Sequence, residues 1–178
     1  IINEGGGIAG RKVKLAIEDT ESNPAAGSRK LRSLIERRKA SFVVGSVHSG
    51  IMLASIPIAT ELKTPYFSAG EATEATGSKG SRYSFRTGTD TYALAAAGAP
   101  WAFKNLGKTW TMIFPDYAWG HSHHQEHKKL IESLGGKVND PIAVPLGTKD
   151  LVPYLSKIPK NTEVLFSVFF GALSVAFY

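Results

Sequence analysis

The stretch SFVVGSVHSGIMLASIPIATELK, residues 41 to 63, decides how the rest of the chain is read. Its first four residues form a short apolar run suited to a buried strand. The segment from Ser49 to Lys63 has the length and composition of a helix, with Pro57 expected to kink it. Between them lies GSVHSG, a small, polar, glycine-bounded turn. A turn from strand end to helix start presents unpaired backbone N–H groups and the positive end of the helix dipole, a seat suited to an anion. Ser49 stands where its hydroxyl can either cap the helix or reach the same anion. The turn lacks the Gly-Lys-Ser/Thr ending of a phosphate-binding loop and the G-x-S-x-G spacing of a nucleophile elbow. His48 and Ser49 are adjacent, and neighbours on such a turn rarely face each other, so no catalytic pair is expected.

The same alternation of strand and helix patterns runs outward in both directions. Upstream, RKVKLAIED (11 to 19) alternates as a strand should, and NPAAGSRKLRSLIERRK (23 to 39) opens with a capping Asn23 and Pro24 at the first helical position. The start, IINEGGGIAG, reads as the tail of a helix running into a turn, without the charged and apolar regions of a secretory signal. Downstream the expected elements are strands at 64–70, 82–88, 108–114 and 162–170, helices at 90–107, 120–136 and 149–159, and extended chain at 137–147. This β-α order demands parallel sheets covered by helices on both faces, an α/β fold. The strand 82–88 lacks a helix before it, and the polar residues after it mark a crossing between two lobes near residue 89.

Composition narrows the classes further. Over 178 residues the net charge is +6, but the basic residues are not interleaved with aromatic ones, so a nucleic-acid partner is not expected. Cysteine is absent, which removes disulfides and thiol chemistry. The longest apolar stretch, 164 to 178, is shorter than the roughly 20 residues of a membrane span. HSHHQEH (121 to 127) places His123 and His127 four apart with Glu126 between them. This is not the H-E-x-x-H order, and the expectation is a solvated helix face with no metal.

Six segments in register carry a resemblance. NEGGGIAGRKVKLAIEDTESNPAAGSRKLRSLIERRKASFVVGSVHSG, PYFSAGEAT, YSFRTGTD, FPDYAWG, LGGKV and PLGTKDLVPYLSKI resemble the type I periplasmic solute-binding proteins of ABC importers, in the branch of the leucine/isoleucine/valine-binding proteins. The resemblance implies two Rossmann-like lobes with parallel sheets, incomplete in this chain. Residues 1–89 would be part of the N-terminal lobe, without its first strand, and 90–178 part of the second. It implies no enzyme activity and no cofactor. It implies an extracytoplasmic receptor, made with a signal peptide in its precursor, that binds a small carboxylate-bearing ligand and delivers it to a membrane permease. A cytosolic ligand-sensing regulator or an amide sensor of the same fold is the alternative.

Site residues follow from the same resemblance. Ser49 matches a serine that binds the ligand carboxylate, and His48 lies beside it. Gly70 and Ala72 fall where the family offers backbone groups and a Thr hydroxyl, and Ala72 lacks that hydroxyl; Glu71 or Thr73 is then left to replace it or to face solvent. Trp119 matches a position usually held by Tyr that covers the ligand, and a core aromatic under its helix is the competing reading. Phe170 falls near another cleft aromatic. Branched-chain amino acids are the family default, and the aromatic residues with the lost hydroxyl favour an aromatic acid as competitor.

Overall fold

A computed structural model describes residues 1–177. Two separate parallel sheets organise it. The first has the order β1 (Val43–Val44), β2 (Tyr66–Ser68), β3 (Ser84–Arg86). The second centres on β4 (Thr109–Pro115), with β5 (Lys137–Val138) and β6 (Ile142–Val144) along one edge and β7 (Val164–Ser167) along the other. Every strand pair in both sheets is parallel, so no two paired strands are joined by a tight hairpin. A helix connects β1 to β2, a 3-10 turn lies between β2 and β3, and helices connect β4 to β5 and β6 to β7.

Local chemistry sets the helix limits. α1 (Pro24–Glu36) starts where the Asn23 side chain accepts the N–H of Ala26, with proline at the first helical position. α2 (Ser49–Glu61) runs on through Pro57, which leaves the Leu53 carbonyl without its intrahelical donor but does not end the helix. α3 (Thr91–Asn105) is capped by Asp90, whose carboxylate accepts the N–H of Ala93 at 2.7 Å. α4 (Ala118–Ser133), a short α5 (Val152–Leu155) and α6 (Ala172–Phe177) complete the set. A single 3-10 turn covers Thr73–Ala75.

Each sheet has its own core. Around the first, Leu31, Met52, Ile56, Ala59 and Tyr66 pack into one cluster. Around the second, Ile113, Val144 and Leu173 form a cluster with α5 and α6, while Trp110, Ile131 and Val164 form another with α3 and α4. β4 is the spine of this half, with Trp110, Met112, Ile113 and Phe114 all buried. A strand buried on both faces reads as a continuous apolar run, as TWTMIFP does.

Three expectations fail here. Residues 12–20 join no strand ladder among the described residues; Leu15 and Ile17 are 76% and 81% exposed, because no neighbouring strand lies alongside to pair with their backbone. The opening ten residues form turns and an isolated bridge between Ile8 and Arg11 rather than a helix end. The last strand stops at Ser167, and the apolar residues after it turn through Gly171, at φ 62°, into α6.

Candidate functional site

Two loops at the carboxyl ends of β1 and β2 are laced together. Ser68 Oγ donates to the Ser46 carbonyl at 2.6 Å and accepts the N–H of Gly70 at 3.2 Å. Ser49 Oγ accepts from the N–H groups of both Glu71 (3.1 Å) and Ala72 (3.2 Å). Gly70 is required by this approach: a Cβ there would stand 3.1 Å from Ser49 Cα and 3.0 Å from Met52 Cβ. One serine hydroxyl and two backbone N–H groups thus converge beside the start of α2.

The cap of α2 corrects the sequence reading. His48, not Ser49, is the N-cap, its Nδ1 accepting the N–H of Ile51 at 3.3 Å. Ser49 is the first helical residue and is fully buried, which frees its hydroxyl for the neighbouring loop.

The second wall comes from the turn between β4 and α4. Gly120 lets the helix fold back on its strand, since a Cβ would come 2.2 Å from the Pro115 carbonyl oxygen. That turn brings Tyr117 and Trp119 over the first pair of loops. The Tyr117 ring lies 4.5 Å from the His48 ring, and the indole N–H of Trp119 donates to Glu71 Oε2 at 2.7 Å. Phe170, 57% exposed, meets Trp119 edge-on at 5.5 Å. Burial, reinforced by the negative charge of Glu71, pushes the Tyr117 phenol up, so it stays a neutral donor. Burial pulls the His48 imidazole down, keeping it neutral at physiological pH.

A hydroxyl chain runs beside these loops. Ser122 Oγ accepts the N–H of Thr73 at 3.1 Å and donates to Glu74 Oε2 at 3.3 Å. With its one hydrogen committed to the carboxylate, Ser122 must accept from Thr91 (2.6 Å), and Thr91 in turn from Thr73 (2.8 Å). Arg86 anchors the same loop through the Ala72 carbonyl at 3.1 Å, Thr76 Oγ1 and the Asp90 carboxylate at 2.8 Å.

The structure therefore brings His48, Ser49, Gly70, Glu71, Ala72, Trp119 and Phe170 into one region. Sequence reasoning missed Tyr117, Thr91, Ser122 and Arg86. Tyr117 stood inside the quoted FPDYAWG segment, two residues before Trp119, and was the legible one; the hydroxyl chain had no sequence signal.

HSHHQEH is corrected as well. His123 and His127 are each only 3% exposed, facing Phe166 rather than water. Burial pulls His123 down to about 4 and shifts His124 and His127 the same way. Among the described residues, no group of three or more His, Cys, Asp or Glu is placed to hold a metal. No described helix is long and apolar enough to cross a membrane.

Comparison with known proteins gives the fold its family. The family model for periplasmic binding proteins matches residues 1–178, and the chain belongs to that family, whose members are binding proteins. A periplasmic binding protein from Burkholderia mallei superposes with a TM-score of 0.91 at 25% identity, over 97% of this chain and 47% of that one. A solute-binding protein of an ABC transporter from R. palustris, in complex with benzoate, gives a TM-score of 0.87 at 25% identity over 98% of this chain and 49% of that one. An ABC-type branched-chain amino acid transporter protein from Rhodopseudomonas palustris gives 0.62 at 25% identity, over 95% and 47%. The chain thus spans about half the length of these structures. No curated protein matches the sequence.

Proposed function

We propose that this chain carries the ligand-contacting loops of an extracytoplasmic, periplasmic receptor for an ABC importer. Residues 1–89 belong to one lobe and 90–178 to the other. The two lobes close on a small carboxylate-bearing solute, an amino acid or an aromatic acid, and the loaded receptor delivers it to a membrane permease. The observation that carries this reading is the meeting of two loop pairs across the cleft: Ser49 with the Glu71 and Ala72 N–H groups on one side, Tyr117 and Trp119 on the other.

The chemistry fits such a role. The Ser49 hydroxyl and the N–H groups of Glu71 and Ala72 suit a carboxylate, which would replace their mutual bonds with charge-assisted ones. The His48, Tyr117, Trp119 and Phe170 rings offer flat apolar surface for the rest of the solute. A ligand that touches both walls only when they are together shifts the lobes toward closure by its own binding energy. Neighbours of this fold bind benzoate and 3,4-dihydroxybenzoic acid, and another is a branched-chain amino acid transporter protein, which supports both ligand classes.

Calorimetric titration of the full-length protein with leucine, benzoate and 3,4-dihydroxybenzoate tests the proposal. Binding of at least one solute, lost in Ser49→Ala and in Trp119→Ala, is expected. Binding unaffected by both substitutions would move the ligand away from these loops.

A further inference from the structure

A cavity lies between the second sheet and the helices over it. α3 and α4 pack side by side over β4 and β7, and between the helices and the sheet is a pocket of about 420 Å³. Trp110 of β4 and Phe166 of β7 line it from the sheet, Gly98 and Ala99 from α3, and His123 and His127 from α4. The α3 side opens to solvent at Gly98, where a Cβ would meet nothing within 4 Å.

The polar groups of this pocket are specific. His127 Nδ1 lies 2.8 Å from the His123 carbonyl, so that nitrogen carries the proton and Nε2 is left as an acceptor. Both ring nitrogens of His123 are buried and have no hydrogen-bond partner. A neutral imidazole holds one donor and one acceptor, and buried groups of either kind are almost always paired. The lining carries no carboxylate, lysine or arginine, so nothing there would pair with a charged guest.

We propose that this pocket is a second ligand site, next to the Trp119 loop, whose indole meets the His123 ring edge-on at 5.0 Å, for a small neutral molecule with an aromatic or aliphatic body and one hydroxyl group. A hydroxyl can donate to, or accept from, one ring nitrogen of His123, whichever tautomer the ring holds. The Trp110 and Phe166 rings supply the apolar walls, and the volume falls in the range of small-molecule pockets. The carboxylate-bearing solute of the cleft is the wrong guest here, because its charge would be desolvated without a partner. The proposal stands independently of the cleft reading.

Phenol is the probe, titrated into the full-length protein while the imidazole signals of His123 and His127 and the indole signal of Trp110 are followed by NMR. All three are expected to shift together. Toluene should bind about tenfold more weakly, and His123→Leu should remove that difference. Gly98→Leu, which places a helix-favouring side chain into the open space, should abolish phenol binding without lowering the melting temperature. Phenol binding that survives Gly98→Leu, or that leaves the His123 and Trp110 signals unmoved, would overturn the proposal. So would a crystal structure of the full-length protein in which its own residues fill the pocket.

Discussion

RKVKLAIED and KTWTMIF both carry strand-like sequence, and they meet opposite fates. The first, at 11–19, sets Val13, Leu15 and Ile17 at alternate positions, yet from residue 12 on it joins no strand ladder and leaves Leu15 and Ile17 in solvent. The second, around β4, has β5 and β6 on one side and β7 on the other, with helices on both faces, and its apolar side chains are buried. The alternating pattern is the stronger textual signal of the two. What separates them is partners: a strand's backbone groups are satisfied only by a neighbouring strand, and its side chains gain only from a layer packed on them. The contribution of a residue here should therefore follow what packs on it, and substitutions can test that from the centre of β4 outward.

The largest effect is expected at Trp110. It is buried in the cluster beneath α3 and α4, stacks on Phe166 at 6.3 Å, and its indole N–H donates to the Gly107 carbonyl at 2.9 Å. Trp110→Ala should cost about 3–5 kcal/mol, read from denaturant unfolding. A loss below about 1 kcal/mol would break the comparison, since the most enclosed strand would then matter no more than the exposed one.

The helix layer over β4 gives the next effect, and pH reveals it. His123 sits near 4 when folded and near 6.5 when unfolded, because burial disfavours its charged form; His127, His124 and, at the start of α2, His48 are depressed for the same reason. The unfolded chain therefore binds more protons than the folded one between these values. The stabilisation is full above pH 6.5 and is lost as pH falls toward 4, by about 3 kcal/mol for His123 alone. The depressed carboxylates of Glu18, Glu61 and Glu163 act lower, below their ordinary value of 4.5. Melting temperatures at pH 8 and pH 5 check this, and a flat profile with His123 titrating near 6.5 would place that ring in water.

The parts of the fold legible in the sequence are those whose signals are local. Asn23 with Pro24, Asp90 before a long helix, and the apolar run of β4 each announce themselves within a few residues, and the elements appear where those signals lie. The loops that hold His48, Ser49 and Glu71 were singled out by the resemblance, because these residues stand in quoted segments. The chain from Thr73 through Thr91 and Ser122 to Glu74 was not, because it joins residues up to 49 positions apart by bonds between hydroxyls that are common on any surface. His123 and His127 were misread for a related reason: polar residues at helical spacing suggest a wet face, and only the position of Phe166 and α3 makes that face an interior one.

Ser49 tests whether the laced loops behave like β4 or like the exposed run. Its hydroxyl is the acceptor for the N–H groups of both Glu71 and Ala72. Ser49→Ala removes a small group yet leaves two donors unpaired in a closed region, at a cost of about 1–3 kcal/mol. Thermal unfolding without ligand isolates this structural part from any effect on binding. An unchanged melting temperature would mean that water replaces the hydroxyl and that the loops open readily.

The smallest effect belongs to the run that opened the comparison. Leu15 and Ile17 project into solvent, and the segment's side-chain tie to the helices is the ion pair between Glu18 and Lys30 at 2.9 Å. Replacing both with serine in this 178-residue chain removes little buried apolar area, so the expected change is within about 0.5 kcal/mol, with improved solubility. In the full-length protein the same double substitution separates two physical situations. If the run stays unpaired, the change remains that small. If another strand lies against it, Leu15 and Ile17 enter a core, and the cost rises to about 2–5 kcal/mol as it does for aliphatic side chains deleted from a packed interior. Comparing the two lengths would show whether the alternation in RKVKLAIED is spent on a partner.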